Sequence, residues 1–158
     1  MLAPYVRGAE AEWLRSFRFE VEVRPRYCEG DGQGHVSNVV YPAYLELSRL
    51  QYFKAANDPE PGAFAFQHVA AEFHLRYLAA CYYDEPLAIR SKLIALGRSS
   101  ATMDQAIVGA GESLRAIARV AVVRSVDDRS ASWTEAQRAA IEAFHGGPLP
   151  ATPPSDPA

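Results

Sequence analysis

From Phe17 to Arg26 apolar and charged residues alternate without a break, with Phe17, Phe19, Val21 and Val23 on one side and Arg18, Glu20, Glu22, Arg24 and Arg26 on the other. A period of two predicts a half-buried strand. Pro25 has no N–H to give to a ladder, so the strand ends at an edge or a bulge. The pattern then changes. From Asn38 to Ala56 one stripe carries Val40, Tyr44 and Leu47, and the next carries Tyr41, Leu45, Ser48 and Tyr52. Past Asn38, only Glu46, Arg49, Gln51 and Lys54 add charge or an amide. A helix apolar nearly all round is predicted to be buried. Ser37 and Asn38 both suit an N-cap and Pro42 fits only a first turn, which brackets the start between Ser37 and Pro42.

The cluster Asn57-Asp58-Pro59-Glu60-Pro61-Gly62 breaks the helix, and strand-like runs follow over residues 65–78, 86–96, 100–108 and 113–126. The turns Gly97-Arg98-Ser99 and Gly109-Ala110-Gly111-Glu112 leave no room for crossover helices, so these strands are antiparallel candidates. A long apolar helix followed by such a meander buries itself best if the sheet wraps it, an α+β architecture. Residues 134–145 form a short amphipathic helix that Thr134 can cap, and another short helix is expected around Ala9 to Arg15 in an N-terminal extension, residues 1–16. Residues 146–158 carry Pro148, Pro150, Pro153, Pro154 and Pro157 and read as a flexible or extended tail.

A length of 158 residues suits one domain, and 49% hydrophobic with 22% charged residues is a globular composition. The net charge of -3 and the absence of a basic cluster argue against nucleic acid as a partner. The strand arginines read as a solvated sheet face. No apolar run approaches a membrane span, and Glu10 and Glu12 interrupt any signal-peptide core, so a cytoplasmic address is the expectation. Cys28 and Cys81 lie in strand-like contexts and read as buried free thiols. The four histidines have no second sulfur or carboxylate at ligand spacing, so neither a metal nor another cofactor is expected.

The candidate chemistry lies in the glycine-rich run from Arg26 to Tyr41, which carries Asp31 and His35 into the buried helix. A helix entrance presents unpaired N–H groups, so a carboxylate just before it stands beside a site for developing negative charge. On its own, Asp31 between glycines also suits an ordinary turn, and Asn38 an ordinary cap. A Cys28/His35 nucleophile pair needs geometry that spacing cannot supply.

Asp31-Gly32-Gln33-Gly34-His35-Val36, then Asn38 and Tyr41, resembles the D-x-x-G-H-V-x-N-x-x-Y signature of hotdog-fold acyl-CoA thioesterases of the group related to 4-hydroxybenzoyl-CoA thioesterase. His74-Leu75-Arg76-Tyr77, Tyr83-Asp84-Glu85-Pro86-Leu87 and Leu96-Gly97-Arg98-Ser99-Ser100 match the family's sheet segments, and the likeness runs from about residue 17 to 126. It implies a hotdog domain over residues 17–145, in which one antiparallel sheet wraps a central helix. It also implies a site shared across a homodimer or homotetramer, and an acyl-CoA or acyl-carrier thioester as substrate. Under the resemblance Asp31 is nucleophile or general base, the Asn38 backbone N–H is an oxyanion donor, and His35 supports Asp31 or the thioester oxygen. Gly34 and Tyr41 then fall at the acyl end, and Arg98 and Ser99 in the turn that meets the CoA phosphates. Glu46 is a reserve carboxylate, although an ion pair with Arg49 explains it more cheaply. Phe64, Phe66, Phe73, Tyr77, Tyr82 and Tyr83 are divided between core and acyl pocket in a way sequence does not settle. Two rivals share the fold. A hydratase would need D-x-x-x-x-H, one residue longer than the Asp31 to His35 spacing; a non-catalytic acyl-thioester-binding module would keep the groove without turnover.

Overall fold

The computed structural model describes residues 9–59 and 66–154. Its elements in chain order are α1 (Glu10–Arg15), β1 (Phe19–Val23), α2 (Tyr41–Ala55), β2 (His68–Tyr77), β3 (Leu87–Leu96), β4 (Ser100–Gly109), β5 (Ser113–Val126), β6 (Arg129–Ser130) and α3 (Glu135–His145). The strands form one antiparallel sheet in the order β1-β3-β4-β5-β2, with the two-residue β6 added to β5. α2 lies on one face of this sheet, and the arrangement is the hotdog fold, α+β in class. Phe64 falls outside the described residues.

The helix packs because its apolar positions meet alternating residues of the central strands. Leu45 and Phe53 from α2, Ile89 and Leu93 from β3, Met103 and Ile107 from β4, and Val120 and Val122 from β5 are all buried. Within this core sits a polar cluster. Gln105 Nε2 donates to the Leu45 carbonyl and to Ser91 Oγ, each at 2.8 Å, while Ser48 Oγ donates to the Ile89 carbonyl at 3.1 Å. Directional bonds in a dry interior fix the rotation of α2 over the sheet, which apolar packing alone would leave looser.

α2 begins at Tyr41, within the expected bracket, because Ser37 to Val40 close a turn in which the Val40 N–H reaches the Ser37 carbonyl at 2.9 Å. Several other expectations are corrected. Neither Ser37 nor Asn38 caps the helix with its side chain. Leu47 and Leu50 are exposed, so one stripe of α2 stays open while the sheet curls round the rest. Cys28 is exposed in a short 3-10 turn, Tyr27–Glu29, whereas Cys81 is buried; both thiols are free. The outer sheet face is not simply solvated. Leu14 of α1 covers Ala106 and Val108 there, and Arg119 donates to a fully buried Asp104 at 2.7 Å. Beyond α3 the chain is extended, with Leu149 packed on the core and the Leu96 N–H bonded to the Pro150 carbonyl at 2.8 Å.

Candidate active site

After β1 the chain crosses Pro25 and enters the 3-10 turn, where Glu29 anchors everything that follows. Its carboxylate accepts from the Arg26 backbone N–H at 2.7 Å, from the Arg26 guanidinium at 2.8 Å and from the Tyr44 hydroxyl of α2 at 2.7 Å. These bonds, the Arg26 side chain first among them, lower the Glu29 pKa to about 2. The Glu29 carbonyl accepts from Ser37 N–H at 2.8 Å, so the loop between them is held at both ends.

That loop is a tight hairpin. The Asp31 N–H donates to the His35 carbonyl at 2.7 Å, and Asp31 Oδ1 accepts from the N–H groups of Gln33 at 2.8 Å and His35 at 3.0 Å. Gly34 turns the chain at φ +81, in the left-handed region that glycine enters without a Cβ clash. The Val36 N–H bonds the Cys81 carbonyl at 2.8 Å, and His35 bridges to Tyr82, which ties the hairpin to the segment before β3. Asp31 is exposed, and the N–H groups of Gln33 and then His35 hold its pKa below the usual carboxylate range. One of its oxygens is thus pinned by the turn while Oδ2 accepts no hydrogen bond among the described residues. An ionised carboxylate with one oxygen fixed and one facing outward can attack a carbonyl carbon or take a proton from water.

The turn that leads into α2 begins six residues on, at Ser37. Among the described residues the N–H groups of Asn38 and Val39 donate no hydrogen bond, and both residues are exposed. The Asn38 carbonyl accepts from the Tyr77 hydroxyl at 3.0 Å, which orients the peptide carrying the Val39 N–H. Tyr77 in turn packs edge-on against Tyr41, ring centroids 5.0 Å apart. Tyr41 is buried; its hydroxyl accepts from the Cys81 N–H at 3.0 Å, and burial pushes its pKa up. The His35 ring packs edge-on against Tyr82 at 5.4 Å, and it is its backbone N–H that reaches Asp31.

The structure therefore brings Asp31, Gly34, His35, Asn38 and Tyr41 together and leaves Arg98 and Ser99 apart. Those two form the turn after β3, where the Arg98 guanidinium donates to Ser132 Oγ at 3.3 Å and the Ser99 carbonyl accepts from the Arg124 N–H at 2.8 Å. β3 starts near the Asp31 hairpin and ends at Leu96, just before the Arg98 turn, so its ten residues set the two roughly 30 Å apart within one chain. Glu46 pairs with Arg49 at 3.3 Å and its side chain is largely exposed. Sequence reasoning did not single out Glu29, whose role appears only when Tyr44 folds back onto it. Nor did it separate Tyr77 from the other aromatics, because that role depends on β2 lying beside the helix entrance. Among the described residues no group of three or more His, Cys, Asp or Glu could hold a metal, and no helix is long and apolar enough to cross a membrane.

Residues 33–116 match the thioesterase superfamily. The chain belongs to that superfamily. It is 31% identical over 144 residues to the uncharacterized protein YsmA of Bacillus subtilis (strain 168), covering 87% of this chain and 94% of the relative. A thioesterase from Thermus thermophilus, solved in complex with coenzyme A and Zn, superposes with a TM-score of 0.76 at 28% identity, over 85% of this chain and 98% of that one. A thioesterase superfamily protein from Jannaschia sp. CCS1 superposes at 0.72 with 27% identity, over 88% and 94% of the two chains.

Proposed function

We propose that this protein hydrolyses an acyl-CoA or acyl-carrier thioester to the free carboxylic acid and the thiol, with Asp31 as nucleophile or general base. The observation that carries this reading is the Asp31 hairpin itself: an exposed carboxylate with one oxygen pinned by two N–H groups, delivered to a helix entrance whose Asn38 N–H is unengaged among the described residues. In either route an oxygen adds to the thioester carbonyl, the carbonyl oxygen becomes an oxyanion that the Asn38 N–H stabilises, and the C–S bond breaks to release thiolate. If Asp31 attacks directly, water then hydrolyses the mixed anhydride. His35 and Gly34 hold the hairpin in this geometry, and Tyr41 backs the Tyr77 ring at the acyl end. Coenzyme A in the Thermus thermophilus relative supports a CoA thioester as the substrate.

Arg98 and Ser99 join this site only through a second copy. β2 is a free sheet edge of ten residues, with Val69, Phe73 and Tyr77 at 53%, 36% and 47% exposure. An open edge of that kind invites pairing. Its Tyr77 end adjoins Asn38 and its His68 end pairs with Arg124, beside Ser99. Antiparallel pairing of β2 with β2 about a two-fold axis would set the Arg98 turn of one copy beside the Asp31 hairpin of the other, within reach of the phosphates of one CoA. The test is thiol release from a panel of acyl-CoAs, with product identification. Free acid plus CoA supports hydrolysis, a hydrated thioester indicates the hydratase chemistry, and binding without turnover indicates a binding module.

A further inference from the structure

A second polar cleft lies at the other end of β1 from the Asp31 hairpin. β1 starts at Phe19, paired with Ser91, while β3 continues to Leu96, and the C-terminus of α3 closes the resulting notch. The cavity has a volume of about 260 Å³ and is lined by Arg18, Lys92 and His145, from three segments, with Phe19, Tyr52 and Phe144 as walls. The three rings meet edge-on, with centroids 5.0 to 6.0 Å apart. Neither Arg18, Lys92 nor His145 has an ion-pair partner among the described residues. Carboxylates in the neighbourhood are committed elsewhere: Asp104 to Arg119 at 2.7 Å, Glu20 to Arg90 at 2.9 Å, and Glu142 to the Leu149 N–H at 3.4 Å.

These side chains feel one another. Burial, then Arg18 and Lys92, lower the His145 pKa and favour its neutral ring, while the Lys92 pKa is lowered by burial and raised by Asp104, its cross-strand neighbour. Lys92 Nζ donates to Ser16 Oγ at 2.5 Å and sits over the Phe17 ring at 4.6 Å, neither of which cancels its charge. Arg18 lies across Gly146, with Nη1 2.6 Å from the place a Cβ would occupy, so a larger residue at 146 would displace it. The partial negative charge at the end of α3 explains part of its attraction there. It does not explain Lys92 in the same cleft. Two cationic side chains that reach one cavity, neither held in an ion pair among the described residues, offer an anion two charge-assisted donors, and the aromatic walls offer its apolar body a dry surface.

We infer that this cleft binds a small organic carboxylate with an aryl or short alkyl body, its carboxylate between Arg18 and Lys92 and its body against Phe19, Tyr52 and Phe144. The volume, below the roughly 300–1,000 Å³ of a drug-sized site, limits the occupant to something near benzoate or hexanoate in size. It is separated from Asp31 by the length of β1, about 15 Å, and by the residues 24–30 beyond it. The occupant therefore does not touch the thioester. The same chemistry could come from the acid released at the Asp31 site or from an unrelated metabolite.

The test is isothermal titration calorimetry on the full chain with benzoate, hexanoate and inorganic phosphate as probes. One of the two carboxylates should bind at one site per chain, and Arg18→Gln or Lys92→Met should weaken it about tenfold or more, as loss of a charge-assisted bond does. Asp31→Asn should leave this binding unchanged. Arg18 is exposed, so Arg18→Gln remains informative even where Lys92→Met compromises folding. Tighter binding of the acid product of the best substrate than of either probe would assign the site to product; equal binding would assign it to an outside carboxylate, and both support the site. Silence with both carboxylates, binding of phosphate alone, or binding lost in Asp31→Asn but kept in Arg18→Gln would overturn the inference.

Discussion

Replacing Tyr77 by phenylalanine removes one atom, the hydroxyl oxygen that donates to the Asn38 carbonyl at 3.0 Å. The ring keeps its edge-on contact with Tyr41, and the freed carbonyl is on an exposed residue where water can satisfy it. Stability should therefore change by less than about 0.5 kcal/mol, or roughly 1–2 °C in Tm for a chain of this length. Catalysis should change more, because the bond fixes the Asn38–Val39 peptide, and through it the Asn38 backbone whose N–H the oxyanion meets. A neutral hydrogen bond contributes a net ~0.5–1.5 kcal/mol, and if that is expressed in the transition state kcat falls by roughly two- to tenfold. KM should move little, since the ground-state carbonyl makes no full use of the donor. Steady-state thiol release with a chromogenic thiol reagent, alongside a melting curve, measures both. An unchanged kcat, or a kcat loss accompanied by an equal loss in Tm, refutes the assignment of Tyr77 as a positioning residue.

Three further outcomes follow from the geometry. Arg98→Ala should raise KM for CoA thioesters and leave a pantetheine thioester little affected, and an equal effect on both would show that Arg98 acts through folding. Light scattering at micromolar concentration should give a dimer or larger, and Phe73→Lys on the free edge of β2 should shift the protein toward monomer and lower turnover; a fully active wild-type monomer would contradict a shared site. His68 is held neutral, its pKa lowered by burial to about 4. Between that value and about 6.5 the unfolded chain binds the extra proton and the folded chain does not, so stability rises with pH across this window and falls on acidification. Melting curves from pH 7 to pH 5 should therefore drop less steeply for His68→Gln than for wild type, and equal slopes would refute the burial argument.

Much of the fold was legible because its signals are local. The strict alternation around Phe19 to Val23, the near-continuous apolar surface of Tyr41 to Ala55 and the glycine turns after β3 and β4 each mark an element within a few residues of its observed bounds. Thr134 caps α3 as its sequence suggests, its hydroxyl accepting from the Gln137 N–H at 3.2 Å. What escaped was non-local. Ser37 and Asn38 look like caps, yet the Ser37 to Val40 turn postpones the helix to Tyr41. Arg119 looks like a solvated strand arginine, but it is buried with Asp104 on a face that the chain after α3 reaches at Pro153. Leu47 looked buried because it shares a stripe with Val40 and Tyr44, and nothing in the helix itself says which side the sheet will cover. In the site, Asp31, His35 and Asn38 stand close in sequence and so were visible together. Glu29 and Tyr77 act through partners 15 and 39 residues away, and no spacing announces them. Arg98 was assigned to the same substrate as Asp31 by resemblance, although one chain alone holds them at opposite ends of β3.

The central claim is that the Asp31 carboxylate does the chemistry, and Asp31→Asn tests it most directly. The amide oxygen can still accept from Gln33 and His35, so the hairpin and the melting temperature should be preserved while the charge and the basicity are lost. Measured as kcat for thiol release on the best acyl-CoA of the panel, the variant should be slower by on the order of a hundredfold or more, with binding largely retained. Turnover at the wild-type rate would contradict the account and make Glu46 the carboxylate to test.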